Sequence, residues 1–443
     1  MYLHGTSTID DNGHLNIGGC DTQALAAEYG TPLYIVDEAL VRQRAREYVE
    51  AFRASGLRFQ VAYASKAFCV MAMCAIAEEE DMSLDVVSDG ELHTALKAGF
   101  PAQRIHFHGN NKTPDEIDMA LDADIGCFVV DNFIELELLN ALAADKGKTV
   151  NILLRITPGV EAHTHDYIST GQQDSKFGFD LGNGSAYSAI EHGMKLANLK
   201  ILGVHSHIGS QIFEVEGFRM AVDKVADFAV EINRKLGLTF SVINLGGGFG
   251  IRYTEEDKPL PVAEYVQAIT DAIISNFSAA SYPLPEIWVE PGRSIVGDAG
   301  TTLYTVGTSK EIPGVRKYIA VDGGMTDNPR PALYESKYEA VLANRADEAA
   351  EETVSVAGKC CESGDMLIWD LELPRVQRGD LLAVFCTGAY NYAMASNYNR
   401  IRRPAVVFVK DGQADLAVKR ESFDDIVGND VMPARLKKPS MAK

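Results

Sequence analysis

Paired cysteines are missing from this chain. Its seven cysteines (Cys20, Cys69, Cys74, Cys127, Cys360, Cys361 and Cys386) are an odd number without CxxC spacing. That excludes a disulfide framework and a zinc ribbon, and predicts reduced thiols that mostly fill the core. No apolar run reaches the roughly 18 residues a membrane-spanning helix needs, so no membrane association is expected. No basic, apolar, small-residue leader opens the chain at "MYLHGTSTID", and the expected compartment is the cytoplasm. Positive charge is also scarce: 41 lysines and arginines stand against 62 aspartates and glutamates, a net charge of −21. That sign excludes general nucleic-acid binding and attraction to an anionic bilayer. Low-complexity linkers and internal repeats are absent. The pair His163 and His165 has no cysteine or acidic ligand set nearby, so no metal is expected.

What is present is an ordinary globular composition, 46% hydrophobic and 23% charged over 443 residues, enough for a barrel of roughly 250 residues and a companion domain. Eight short apolar, β-branched runs cover 58–67, 84–88, 104–109, 127–131, 150–156, 201–209, 241–248 and 286–292. Most are separated by stretches with helical periodicity, such as "GFRMAVDKVADFAVEINRKLG", which ends on a glycine cap signal. The alternation predicts an α/β fold, a (β/α)8 TIM barrel over residues 37–290; an open doubly wound sheet is the alternative. The interval 157–200 is too long for a plain connection, and its "HTHDYISTGQQDSKFGF" predicts a loop shaping the mouth of the barrel. Beyond Arg293 short apolar runs alternate with Gly, Pro and charged turns, the pattern of a mostly-β domain. Residues 291–443 are assigned to it, together with 1–36, whose "HLNIGG" and "TPLYIVD" are β pieces.

In such a barrel, chemistry collects where the strands end. Lys66 ends the first strand, in "VAYASKAFCV". A lysine there is ion-paired, at the surface, or depressed in pKa for chemistry. Asp85 and Glu91 bracket the exit of the second strand, His207 and Ser210 that of the sixth, Gly246, Gly247 and Gly248 that of the seventh, and Glu290 and Arg293 that of the eighth. Each has a plainer reading as well: "LGGGFG" as a tight turn, "EPGR" as a turn with a surface ion pair, His207 as a satisfied core histidine. The glycine run lacks the GxGxxG spacing and the Walker lysine of nucleotide sites. Together the set offers a lysine for a Schiff base, a backbone cradle for phosphate, a flat imidazole and a carboxylate for a pyridinium nitrogen, which are the requirements of pyridoxal 5'-phosphate.

The ordered motifs "YASKA", "LDVVSDGEL", "FHGNNK", "HSHIGSQ", "LGGGFG", "EPGR", "NPRPALY", "CESGD" and "GAYNYAMASNYN" span nearly the whole chain. In them the sequence resembles the fold-type III, alanine racemase-like pyridoxal-phosphate decarboxylases, and among these the branch acting on diaminopimelate. The resemblance implies that Lys66 holds the cofactor as an imine, His207 lies against its ring, Glu290 pairs with the ring nitrogen, and Asp85 belongs to the cofactor site. It also implies that Gly246 to Gly248, Gly292 and Arg293 of the EPGR turn, Ser210 and Tyr390 bind the cofactor. Arg293, Arg330, Tyr334, Glu362 and Tyr390 would surround the substrate, and Cys361 would supply a proton, with Lys66 its competitor. Since the family shares its active sites across a homodimer, Cys361 and Glu362 would reach the Lys66 of a second chain. Asp89 and Lys359 depart from the family pattern, which has Gly and Pro there.

Two arginines suit a distal carboxylate and Glu362 a distal ammonium. The activity implied is therefore decarboxylation of meso-2,6-diaminopimelate to L-lysine and CO2, the last step of lysine biosynthesis. Alternatives are an ornithine- or arginine-type decarboxylase, a racemase of the same fold, or a non-catalytic pyridoxal-phosphate-binding regulator.

Overall fold

The computed structural model describes residues 2–160 and 176–437. The histidine pair at 163 and 165 and most of the expected mouth loop lie outside the described residues. Eight parallel strands close on themselves: Phe59–Ala64, Ser83–Val86, Ile105–Phe107, Cys127–Val130, Val150–Thr157, Leu199–His205, Val242–Asn244 and Glu286–Val289. Closure comes from the eighth strand, which pairs with both the seventh and the first. A short strand, Phe179–Asp180, adds to the outer end of the fifth. The fold is the TIM barrel the alternation predicted, and the open sheet is excluded.

Local signals set the helices that wrap it. Asp37 caps Glu38–Ser55 and Ser88 caps Asp89–Lys97. Thr113 and Glu116 form a capping box before Pro114–Asp122, and each such cap satisfies backbone donors that the first turn leaves unpaired. Glu216–Leu236 stops at Gly237, whose φ of 73° is the left-handed conformation a side chain would oppose. Cys127, Val129, Leu153, Val242 and Trp288 fill the barrel interior, where His106 stacks on Trp288 at 4.1 Å.

The second domain is a mostly antiparallel sheet. Leu33–Asp37 lies in its middle, antiparallel to Gly300–Ile312 and parallel to Ala405–Lys410. The N-terminal segment thus joins the C-terminal strands, as expected. "HLNIGG" does so without joining the large sheet: Leu15–Ile17 sits in its own three-stranded sheet, while Leu15 and Ile17 enter the core of the β-domain and the Leu15 amide donates to the Ala343 carbonyl at 2.8 Å. Ile251 and Tyr253, on the loop leaving the seventh barrel strand, enter that same core. Among the described residues no helix is long and apolar enough to cross a membrane.

Asp327 anchors the turn that leads into the short helix Arg330–Tyr334. Its carboxylate accepts from Tyr304 Oη, from Gly324 N at 2.9 Å and from Thr326 Oγ1 at 3.2 Å. Burial outweighs these bonds and lifts the carboxyl to about 7. The native state therefore keeps a proton that the unfolded chain releases near its ordinary value of 3.8. The associated stability is complete below that value and is lost as pH rises towards 7. Asp327→Asn should flatten the fall in melting temperature between about pH 4 and 7; parallel wild-type and variant curves by calorimetry would refute the assignment.

Candidate active site

Lys66 lies in a single 3₁₀ turn, Ser65–Ala67, at the end of the first strand. Its neighbours Ser65 and Ala67 are buried, yet the Lys66 side chain is exposed. The turn lifts the side chain out of the apolar run into the open mouth. Two contacts fix the turn: Tyr63 Oη donates to the Phe68 carbonyl at 2.9 Å, and the Tyr390 amide donates to the Ala67 carbonyl at 2.8 Å. Tyr390 does this with a φ of 62°, a conformation unfavourable for an aromatic residue and held by the packing around it.

Strand register gathers the buried polar groups below this turn. Asp85 pairs in register with Ala64 on one side and His106 on the other. Glu290, one residue beyond the eighth strand, is the centre of the cluster. His205 Nε2 lies 3.0 Å from its Oε2 and Asn244 Nδ2 2.5 Å from its Oε1. His108 Nε2 approaches Oε1 to 3.0 Å and Asp85 Oδ1 to 3.7 Å. Burial pushes the Glu290 carboxyl up, but His108 and His205 prevail and hold it well below the usual carboxylate range. Burial in turn drops His205 to about 4, so near neutrality a neutral imidazole donates to an ionised carboxylate. Burial lifts Asp85, against His108 and Lys66, and lifts Glu91 to about 7. It also keeps His207, with help from the charges of Lys66 and Arg155, well below the imidazole range. A neutral imidazole suits contact with a ring face better than ion pairing. His108, His205 and Glu290 bring their ligand atoms within 4.8 Å of one another, with each Nε2 3.0 Å from a carboxylate oxygen.

The glycines are required by close approach. A Cβ on Gly247 would lie 2.1 Å from the Glu290 carbonyl oxygen, and one on Gly246, at φ 68°, 2.6 Å from that of Ser206. On Gly292 it would meet Ala64 Cβ at 2.9 Å, so the EPGR turn abuts the strand that carries Lys66. The ends of strands one, six, seven and eight are thus drawn close together.

A second group of residues lies where the barrel meets the β-domain. Arg293 donates to Tyr253 Oη at 2.6 Å and to Ser210 Oγ at 2.9 Å. Arg330 donates to Tyr338 Oη at 3.0 Å and Ser336 Oγ at 3.1 Å. The rings of Tyr253 and Tyr390 face both guanidinium groups, and that of Tyr334 faces Arg330. Cys361 and Glu362 join neither group among the described residues. Both are exposed on the loop between Glu352–Ala357 and Met366–Leu373, where Asn399 Oδ1 accepts from the Cys361 amide at 2.8 Å.

Reading the strand ends missed His108, His205, Asn244, Tyr253 and Tyr338. The first two stand in the quoted "FHGNNK" and "HSHIGSQ", where alternate residues of a strand face one side.

The chemistry of the donor set fits pyridoxal phosphate. Several buried polar atoms around the mouth have no partner in the protein: Ser65 Oγ, Asp85 Oδ1, Ser206 Oγ, His205 Nδ1 and Arg293 Nε. Orphaned groups in such number call for a polar occupant. Gly247→Ala should weaken pyridoxal phosphate binding by about tenfold or more, because overpacking at this junction costs about 1–3 kcal/mol. Fluorescence titration of the cofactor measures this, and unchanged affinity would refute the cradle.

Comparison with known proteins agrees with this fit. Residues 38–297 match the family model described as "Pyridoxal-dependent decarboxylase, pyridoxal binding domain". The chain is 62% identical over 431 residues to diaminopimelate decarboxylase of Bacillus subtilis (strain 168), covering 97% of this chain and 98% of that protein. Its fold is similar to the crystal structure of diaminopimelate decarboxylase from M. jannaschii in complex with L-lysine, with a TM-score of 0.91, 37% identity and 98% and 99% of the two chains covered. At 23% identity, the lysine/ornithine decarboxylase of Vibrio vulnificus complexed with putrescine shares the fold, with a TM-score of 0.74 over 88% of this chain and 97% of that one. Barrel, cofactor cradle and sequence agree that the chain belongs to the diaminopimelate decarboxylase family of pyridoxal-dependent decarboxylases.

Proposed function

We propose that this chain decarboxylates meso-2,6-diaminopimelate to L-lysine and CO2, as the last step of lysine biosynthesis. One observation supports the substrate above the rest. Arg293 and Arg330 are 7% and 8% exposed, and no carboxylate pairs with either among the described residues. A buried guanidinium without a counter-ion is costly, and two that share the same tyrosine walls make a receptor for an anion. An amino-acid substrate with a distal carboxylate neutralises them; ornithine, arginine and lysine carry none.

Pyridoxal phosphate, when bound, supplies an electron-accepting ring for the pair left on the α-carbon as CO2 departs. Lys66 holds it through its ε-amine. Backbone N–H groups of Gly246 to Gly248 and of the EPGR turn, with Ser210, take the phosphate, and His207 lies against the ring. Glu290, kept ionised by His205, Asn244 and His108, favours a protonated ring nitrogen. Arg293 and Arg330, with Tyr334 and Tyr390, fix the distal end, so that the α-carboxylate is presented for cleavage.

The vacated α-carbon takes a proton, which Cys361 supplies as a general acid; the thiolate then recovers one from water. Cys361 and Glu362, exposed on their loop, reach the Lys66 site of a second copy, and Glu362 takes the distal ammonium. The active form is a homodimer. Its seven unpaired cysteines suit the cytoplasm.

With pyridoxal phosphate added, meso-diaminopimelate should give CO2 and L-lysine, and ornithine, arginine and lysine should give none. CO2 from a monoacid but not from the diacid would overturn the reading. Cys361→Ala should lower kcat by about 100-fold or more with KM little changed; an unchanged kcat would assign the proton to another donor. Borohydride reduction of the loaded enzyme should fix the cofactor on Lys66, and a label elsewhere would remove Lys66 from its role.

A further inference from the structure

Tyr253 stands outside the substrate set that the family motifs supply, yet its contacts place it between both arginines. Its hydroxyl oxygen accepts from Arg293 Nη1 at 2.6 Å, and its ring lies 5.7 Å from the Arg330 guanidinium. Among the described residues only Tyr390 also faces both guanidinium groups, and it does so through its ring alone. A phenol that accepts a hydrogen bond still carries its own proton. The Tyr253 O–H has no acceptor among the described residues, while the side chain is only 7% exposed.

The position of that hydroxyl is held from two sides. Tyr253 belongs to the loop leaving the seventh barrel strand, but its ring packs in the core of the β-domain, edge-on to Tyr338 at 5.6 Å. The residues preceding and following this pair form a clamp: Arg252 binds Glu339 through two bonds of 2.9 Å. The Tyr253 backbone amide is tied to Asp257 Oδ2 at 3.0 Å. Tyr253 thus orients Arg293 from the barrel, and Tyr338 orients Arg330 from the β-domain.

We infer that Tyr253 is a specificity-determining residue, whose hydroxyl donates to the distal carboxylate of the substrate while orienting Arg293 towards it. This rests on the reading of Arg293 and Arg330 as the distal-carboxylate site. It explains why the phenol proton is left without a protein acceptor: a carboxylate oxygen is the partner missing from the set. A distal ammonium or methyl group would leave the phenol and both guanidinium groups unsatisfied, so the penalty falls on monoacids.

Tyr253→Phe keeps the ring, the packing and the clamp while removing the hydroxyl. Calorimetric titration of the holoenzyme with pimelate, the seven-carbon diacid, and with hexanoate, a monoacid, reads the effect directly. Wild-type protein should bind pimelate well above hexanoate. In the variant, pimelate binding should weaken about tenfold, as for a lost hydrogen bond to a charged group, with hexanoate changed less than about twofold. KM for diaminopimelate should rise in step, and kcat should stay within about threefold. If the variant keeps the wild-type preference for pimelate, or loses affinity for both acids equally, the assignment to Tyr253 is overturned while the distal-carboxylate site stands. If wild-type protein binds the two acids alike, the distal-carboxylate reading falls, and this inference with it.

Discussion

Closure of the barrel is the constraint on which the site depends. The eighth strand, Glu286–Val289, is only four residues long, and it pairs on both sides, with the seventh strand and the first. That double pairing sets Glu290 beside Gly247 and the EPGR turn against Ala64. No side chain larger than hydrogen fits at either contact. The glycines are therefore first a condition of closure, and the backbone they leave uncovered by side chains is what an anion can approach. Cofactor geometry and barrel geometry are one problem in this fold.

Charge is distributed over the mouth in two opposite ways. At the bottom an anion is kept: Glu290 is buried among the donors His205, Asn244 and His108, while burial lifts Asp85 and Glu91. At the rim cations are kept: Arg293 and Arg330 are buried among tyrosine oxygens and rings, with no paired acid among the described residues. A cationic ring nitrogen suits the first environment and an anionic substrate end the second. Each half would be poorly stable on its own, because burying an uncompensated charge costs several kcal/mol, of order 3–5 when a partner is removed. The orphaned polar atoms around Lys66 are a further sign that the fold is shaped for an occupied state.

Most of the fold could be read from the sequence because it is written in local patterns. Apolar runs alternating with 3.6-residue periodicity gave the barrel, the glycine after Leu236 gave a helix end, and the change of texture after Arg293 gave the β-domain. The candidate site was legible where residue type and strand end coincide, as at Asp85, Gly246 to Gly248, Glu290 and Arg293, which the fold brings to one mouth. It was not readable where the meaning lies in register. His108 and His205 each look like an ordinary histidine on an apolar strand; only the parallel pairing of eight strands sets both imidazoles against Glu290. Lys66 is exposed because one 3₁₀ turn follows its strand, and a turn of three residues leaves no periodic signal. Tyr253 lies in what reads as a loop, and its weight comes from a core assembled with residues more than a hundred positions away.

In the proposed homodimer, a second copy would complete what the mouth of one chain lacks. The rim has two cations and no acid, and the Glu362 carboxylate and Cys361 thiol are exposed on a loop that contacts neither arginine. A distal ammonium needs an anion, and the tyrosine-walled pocket of a single chain offers it none among the described residues. A thiol that must protonate carbon needs to be shielded from bulk water at the moment of transfer, which an exposed loop on a free chain does not achieve. Both deficits are met if that loop is inserted over the mouth of a second copy: the acid completes the charge pattern, and the loop covers the exposed Lys66. On this reading, assembly would supply the dry, low-dielectric surroundings that the barrel mouth lacks by itself.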